Sequence, residues 1–211
     1  MMLVARQDAG KKRTRMSPAA RREQFIALGR DLIKRVSVDN VSIESVAQAA
    51  GVSRALVFHY FSSKQDFHLA LAQAQAKELV EATKPDDSLG EPVVVLRAAM
   101  ASFLDFITEH RHAYTAFLRG SASGDPEMRA IVDQSRAVIA DRILERTAVF
   151  GIDHTTTVEV AVRGWIAFVE EVALTWLDRS DMSRDAVLDL MVDSLFGIGA
   201  AVTGEPITRA E

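Results

Sequence analysis

The stretch VAQAAGVSRALVFHYF, residues 46–61, decides how this chain is read. Its last four residues, Phe58, His59, Tyr60 and Phe61, sweep around most of a helix at about 100° per residue, so they cannot all face one core. The glycine and serine before them divide the stretch into two short helices. Ser42 is placed to cap the first, 43–50, with Val46, Ala47 and Ala50 on one side, and Gly51 ends it because glycine takes positive φ without a Cβ clash. Ser53 caps the second, which runs through Tyr60 or Phe61. With Val57 turned inward, Phe61 lies one turn later on the same side and Tyr60 at its edge, while Ala55, Phe58 and His59 point away.

Working outward, Ser17-Pro18 reads as a cap and first helical residue, and Phe25, Leu28, Leu32, Ile33 and Val36 recur at helical spacing, predicting a helix over 18–36. Ser63-Lys64-Gln65-Asp66 matches a capping box in its Asp form and opens a helix to about Thr83 through Phe67, Leu71, Leu79 and Val80. The breaker cluster 84–90 follows. Beyond it, apolar-rich helical stretches are expected near 91–110, 112–120, 126–149, 156–179 and 184–203. Hairpin signals and internal repeats are absent, so the fold class is all-α, with about nine helices.

The chain has 211 residues, 48% of them hydrophobic and 26% charged, and no cysteine. It is long enough to bury a substantial core, and disulfides and thiolate metal sites are excluded. No unbroken apolar run approaches the roughly 18 residues that cross a bilayer, and residues 1–10 lack a signal peptide's apolar segment, so a cytoplasmic protein without a membrane partner is expected. The net charge of −4 is unevenly spread: residues 1–65 hold twelve Lys or Arg against five Asp or Glu, the remainder thirteen against twenty-four. The basic end suits a polyanion.

Two short helices joined by a tight glycine turn form a helix-turn-helix, whose second helix enters the DNA major groove. Arg54 can donate a bidentate pair to guanine N7 and O6, or stand solvated or on a phosphate. Ala55 permits close approach. Leu56 and Phe58 can pack on thymine methyls, and Leu56 equally fits the core. His59 and Tyr60 can donate to phosphates, although a partly buried tyrosine with a satisfied hydroxyl is the other reading of Tyr60. Ser42, Ser53 and Lys64 stand at helix starts, where free N–H groups favour phosphate; capping alone also accounts for the serines. Residues 1–16, with Lys11, Lys12, Arg13 and Arg15, read as a disordered basic arm for DNA or a plain solubility tail.

Residues 17–83, and above all the run from Val46 to Phe67, resemble the N-terminal DNA-binding domain of TetR-family transcriptional regulators in the Gly-Val-Ser turn, the aromatic His/Tyr run and the Ser-Lys pair. Phe58 and Leu56 depart from the tyrosine and small hydroxyl residue often found there. The resemblance implies a DNA-binding domain over 17–63, a linking helix over 64–83, and a ligand-binding and dimerisation domain over 84–211. It implies a homodimer joined through about 156–179 and 184–203, bound as a repressor to a palindromic double-stranded operator and released by a small hydrophobic effector. Met100, Phe103, Leu104, Ile107, Tyr114, Phe117, Met128, Trp165, Phe168 and Val169 are the candidate pocket lining, with ordinary core packing as the alternative for each.

An enzyme is not expected: His110 and His112 with Glu109 do not make the HExxH spacing, and no phosphate-binding glycine loop or nucleophile triad is recognisable, so neither metal nor cofactor is implied. A helical ligand-binding or interaction protein that lost sequence-specific DNA binding is opposed by the basic first 65 residues.

Overall fold

The computed structural model describes residues 16–36, 38–120, 124–179 and 181–205. The basic residues of the expected arm, within 1–15, lie outside the described residues. Among those described there are nine α-helices and no strand: α1 Pro18–Ile33, α2 Ile43–Ala50, α3 Arg54–Phe58, α4 Lys64–Ala82, α5 Pro92–Glu109, α6 Arg111–Arg119, α7 Pro126–Leu144, α8 Thr156–Asp178 and α9 Arg184–Thr203. The class is all-α, as its helical periodicity predicts.

Three helix ends and one cap differ from the sequence expectation; α3 ends at Phe58, short of Tyr60 or Phe61, with His59 as its C-cap. α1 stops short of residue 36 because the backbone N–H groups of Arg35 and Val36 both turn to the Leu32 carbonyl, at 3.0 and 3.2 Å. The chain then delivers Val38 and Val41 into the core. The expected helix 126–149 breaks after Leu144, whose carbonyl accepts from Thr147 Oγ1 at 2.8 Å, and a 3₁₀ turn Thr147–Phe150 follows. At the start of α4, Ser63 Oγ accepts from Asp66 N as expected, but the Asp66 carboxylate reaches back to Ser62 N at 2.8 Å. The reciprocal box is instead at α2, where Ser42 and Ser45 each accept from the other's backbone N–H at 3.1 Å.

Two apolar cores form. The first gathers Phe25, Val46, Val57, Phe61, Phe67 and Leu71 from α1 to α4 and the segments between them. Phe61 meets Phe67 edge-on at 4.9 Å and Phe25 at 6.5 Å, a favourable aromatic geometry. At Gly29 a Cβ would lie 2.6 Å from Phe67 Cζ and 2.8 Å from Leu71 Cδ2, so α1 approaches α4 over a spot where only glycine fits without displacement. The second core gathers Leu104, Ile107, Trp165, Ala173 and Met191 from α5, α8 and α9. Trp165 Nε1 donates to the Met191 carbonyl at 3.1 Å and to Ser194 Oγ at 3.0 Å, tying α8 to α9.

α6 stands between the cores. Ala113, Ala116 and Phe117 belong to the first, and Tyr114 to the second. Ion pairs reinforce this junction: Arg30 of α1 with Glu78 of α4, and Lys34 Nζ with Glu109 Oε1 at 2.6 Å. His110, 4% exposed, lies 3.8 Å from Glu78. Burial holds its imidazole below the usual pKa, and the positive charges of Lys34 and Arg30 act in the same direction, against the pull of Glu109.

An 18-residue window within α9 has a mean hydropathy of 1.6, apolar enough by length and composition to cross a membrane, and 22% of the window is buried here. Asp189 and Asp193 interrupt the apolar run without lowering the average far.

Candidate nucleic-acid interface and cavity

Local chemistry positions the short helix α3. Gly51 takes φ 64 and ψ 36, the left-handed conformation that closes α2, and Val52 N donates to the Ala47 carbonyl at 3.0 Å. Ser53 then caps α3, its Oγ accepting from Leu56 N at 3.3 Å. The Ser42 and Ser53 hydroxyls both serve as caps, leaving their own O–H groups available to donate.

Anchored by fully buried Val57 and Phe61, α3 leaves Arg54, Ala55, Phe58 and His59 exposed. Leu56 is half-buried against the first core, and so is Tyr60, whose ring meets Phe25 edge-on at 5.6 Å. Lys64 is exposed at the start of α4. Leu56 and Tyr60 are therefore the inner edge of the face that Arg54, Ala55, Phe58 and His59 expose. Arg54 brings a partner that its sequence position did not reveal: Nη1 lies 2.8 Å from Glu44 Oε1 of α2, and the guanidinium stacks over Phe58 at 5.2 Å. The pair is exposed at both ends, so it holds the arginine over the helix face at little net energy and is readily exchanged for a stronger acceptor.

The second core borders a cavity of about 540 Å³ that is open on one side, where exposed Gly90 and Val149 line it. Of the candidate lining, Met100, Phe103, Tyr114, Trp165 and Val169 border it. The other five do not. Leu104 and Ile107 are wholly buried between helices, Met128 and Phe117 pack into the first core, and Phe168 lies on the outer surface. Phe117 instead walls a smaller cavity of about 60 Å³. The reason is common to several of them: aromatic density along 103–117 does not tell which of two cores each side of α6 will meet.

Sequence reasoning also missed polar lining. Arg142 Nη1 donates to the Val80 carbonyl of α4 at 2.5 Å, and Arg146 pairs with Asp87 at 3.0 Å. Both arginines border the large cavity, as do Leu79 and Thr83 from the C-terminal end of α4. The last turn of α4 is therefore part of the cavity wall, while its first residue, Lys64, follows the end of α3 by six positions in the chain.

Comparison with known proteins agrees with this geometry. Residues 25–71 match the family described as bacterial regulatory proteins, tetR family, and residues 92–198 match the tetracyclin repressor-like C-terminal domain. The HTH-type transcriptional regulator BetI of Brucella canis is 30% identical over 146 residues, covering 67% of this chain and 70% of its own. The HTH-type transcriptional activator FasR of Mycolicibacterium smegmatis is 23% identical over 193 residues, covering 90% and 86%. A crystal structure of a tetR-family transcriptional regulator from Streptomyces coelicolor superposes with a TM-score of 0.76 at 32% identity, over 90% of this chain and 83% of that one. This chain belongs to the tetR family of bacterial regulatory proteins and is a transcriptional regulator with a DNA-binding helix-turn-helix.

Proposed function

We propose that the protein acts in the cytoplasm as a repressor: a homodimer that grips a palindromic operator and lets go when a small hydrophobic effector enters the large cavity. The observation that carries this reading is α4, which borders the cavity at Leu79 and Thr83 and begins at Lys64, six positions after the end of α3. A ligand that prefers the arrangement with mis-spaced α3 helices lowers DNA affinity by that preference and no more. In the domain organisation we infer, residues 17–63 read DNA, 64–83 transmit, and 84–211 bind effector and partner. One relative is named an activator, and the sign of regulation is set by where the operator lies relative to the promoter.

On DNA, Arg54 exchanges Glu44 for a guanine edge, Ala55 lets the helix approach, Phe58 and Leu56 meet thymine methyls, and Ser42, Ser53, His59, Tyr60 and Lys64 hold phosphates. Binding measured by fluorescence anisotropy on the operator and on random duplex across a salt series tests this. Arg54→Ala is expected to cost about 1–3 kcal/mol on the operator and relax preference at one half-site position, whereas Lys64→Ala weakens all duplexes alike and reduces the salt slope by about 1. Equal losses on operator and random DNA for Arg54→Ala would remove it from base reading.

The outer surfaces of α8 and α9 support the dimer. Val160 and Phe168 are exposed two turns apart on α8, with Gly164 between them, and Leu190 is exposed on α9. A Cβ added at Gly164 or Gly197 meets nothing within 4 Å, so this chain's own packing does not call for glycine there, whereas a helix of a second copy would. The double substitution of Phe168 and Leu190 by aspartate is expected to yield monomers by light scattering; a dimer that persists would move the interface elsewhere.

A further inference from the structure

The smaller cavity, about 60 Å³, adjoins the larger one: Leu79, Tyr114, Ile139 and Glu170 wall both. At its side stands Gln75 of α4, 6% exposed, whose amide nitrogen is buried with no hydrogen-bond partner among the described residues. A buried donor left unsatisfied is costly, so an amide retained here in place of leucine points to a group that completes it. Tyr114, equally buried as a residue, walls both cavities. Burial pushes its phenol well above the ordinary value, so it remains a neutral O–H donor.

Charge at this end is already balanced. Arg136 holds Glu170 in a two-pronged pair, Nη2 to Oε2 at 2.7 Å and Nε to Oε1 at 3.0 Å, and also meets Asp133. An anionic head would have no cation to itself here. The two further cavity arginines are engaged elsewhere, Arg142 by the Val80 carbonyl and Arg146 by Asp87. What the site offers is two neutral donors beside an apolar chamber.

We propose that the smaller cavity is the polar end of the effector site, and that the effector is a neutral lipophile bearing a carbonyl oxygen, which accepts hydrogen bonds from Gln75 Nε2 and Tyr114 Oη. The proposal rests on the reading of the large cavity as the effector chamber. It places one of the ligand's two polar contacts on α4 itself and the other on α6. A ketone, ester or amide carbonyl fits a volume of this size, whereas a carboxylate enters it uncompensated.

The test uses the full chain and three probes: N-phenyl-1-naphthylamine, a neutral fluorophore without a carbonyl, undecan-2-one, and decanoate. Direct titration of the fluorophore and its displacement by the other two give the affinities. The ketone is expected to bind about tenfold more tightly than decanoate, and Gln75→Leu is expected to weaken the ketone about tenfold while leaving the fluorophore unchanged, the worth of one buried hydrogen bond. Tyr114→Phe acts in the same direction. Thermal melting of Gln75→Leu, at or above the parent midpoint, shows that the variant is folded. A bound fluorophore with ketone affinity indifferent to Gln75 overturns the proposal and leaves the chamber standing, the small cavity then holding water only. If the fluorophore does not bind at all, the chamber reading falls as well.

Discussion

Replacing Ala55 with glutamate is expected to abolish operator binding while leaving the fold intact. Ala55 is exposed in the first turn of α3, one residue after Arg54 and on the face that Val57 and Phe61 hold outward. A carboxylate there stands near the positive end of the helix, which tolerates it, so the melting midpoint should hardly move. Against DNA the same carboxylate faces phosphates and base edges in a desolvated interface, and an uncompensated buried charge costs about 2–5 kcal/mol, or roughly thirtyfold to several thousandfold in affinity. Anisotropy titrations on operator and random duplex, alongside circular dichroism melts, check both halves. Undiminished affinity would move the DNA contact away from this face.

Phe61→Ala is expected to be the most destabilising single truncation near the interface, and Phe58→Ala among the mildest. The two rings are three residues apart. Phe61 is 0% exposed among Phe25, Phe67 and the Arg22 guanidinium of α1, whereas Phe58 is 38% exposed beneath Arg54. Deleting a fully buried phenylalanine costs about 3–5 kcal/mol, counting both lost transfer energy and the cavity left behind. The exposed ring should change stability by only about 0.5 kcal/mol, its contribution being directed at DNA. Urea unfolding of both variants measures the contrast. Similar losses for the two would mean that α3 does not present the face described.

The helix-turn-helix was legible because its determinants are local. Ser42, Gly51 and Ser53 act through their own backbone neighbours, and the inward side of α3 follows from Val57 and Phe61 one turn apart. The break after Leu144 was not legible, since it depends on a threonine folding back onto the preceding carbonyl. The pairing of Arg54 with Glu44 joins two helices across a turn, and nothing in either residue's surroundings signals it. Gln75 was legible in principle: it stands one turn from both Leu71 and Leu79, on the buried stripe of α4, where an amide is out of pattern. The cavity lining was half legible, because hydrophobic spacing identifies what is buried but not against what.

α6 carries that last point further. Phe117 and Ala113 complete the packing around α1 to α4, and Met128 from the start of α7 joins them, although all three are distant in sequence from the DNA-reading segment. A fragment cut after Thr83 would leave those helices with a bare apolar flank, and a chimera spliced there would press an unfamiliar surface against α4 and the turn Val38–Asn40. The portable unit of this regulator is therefore discontinuous along the chain: specificity can be exchanged between relatives only if α6 travels with the reader or its contact residues are rewritten to match.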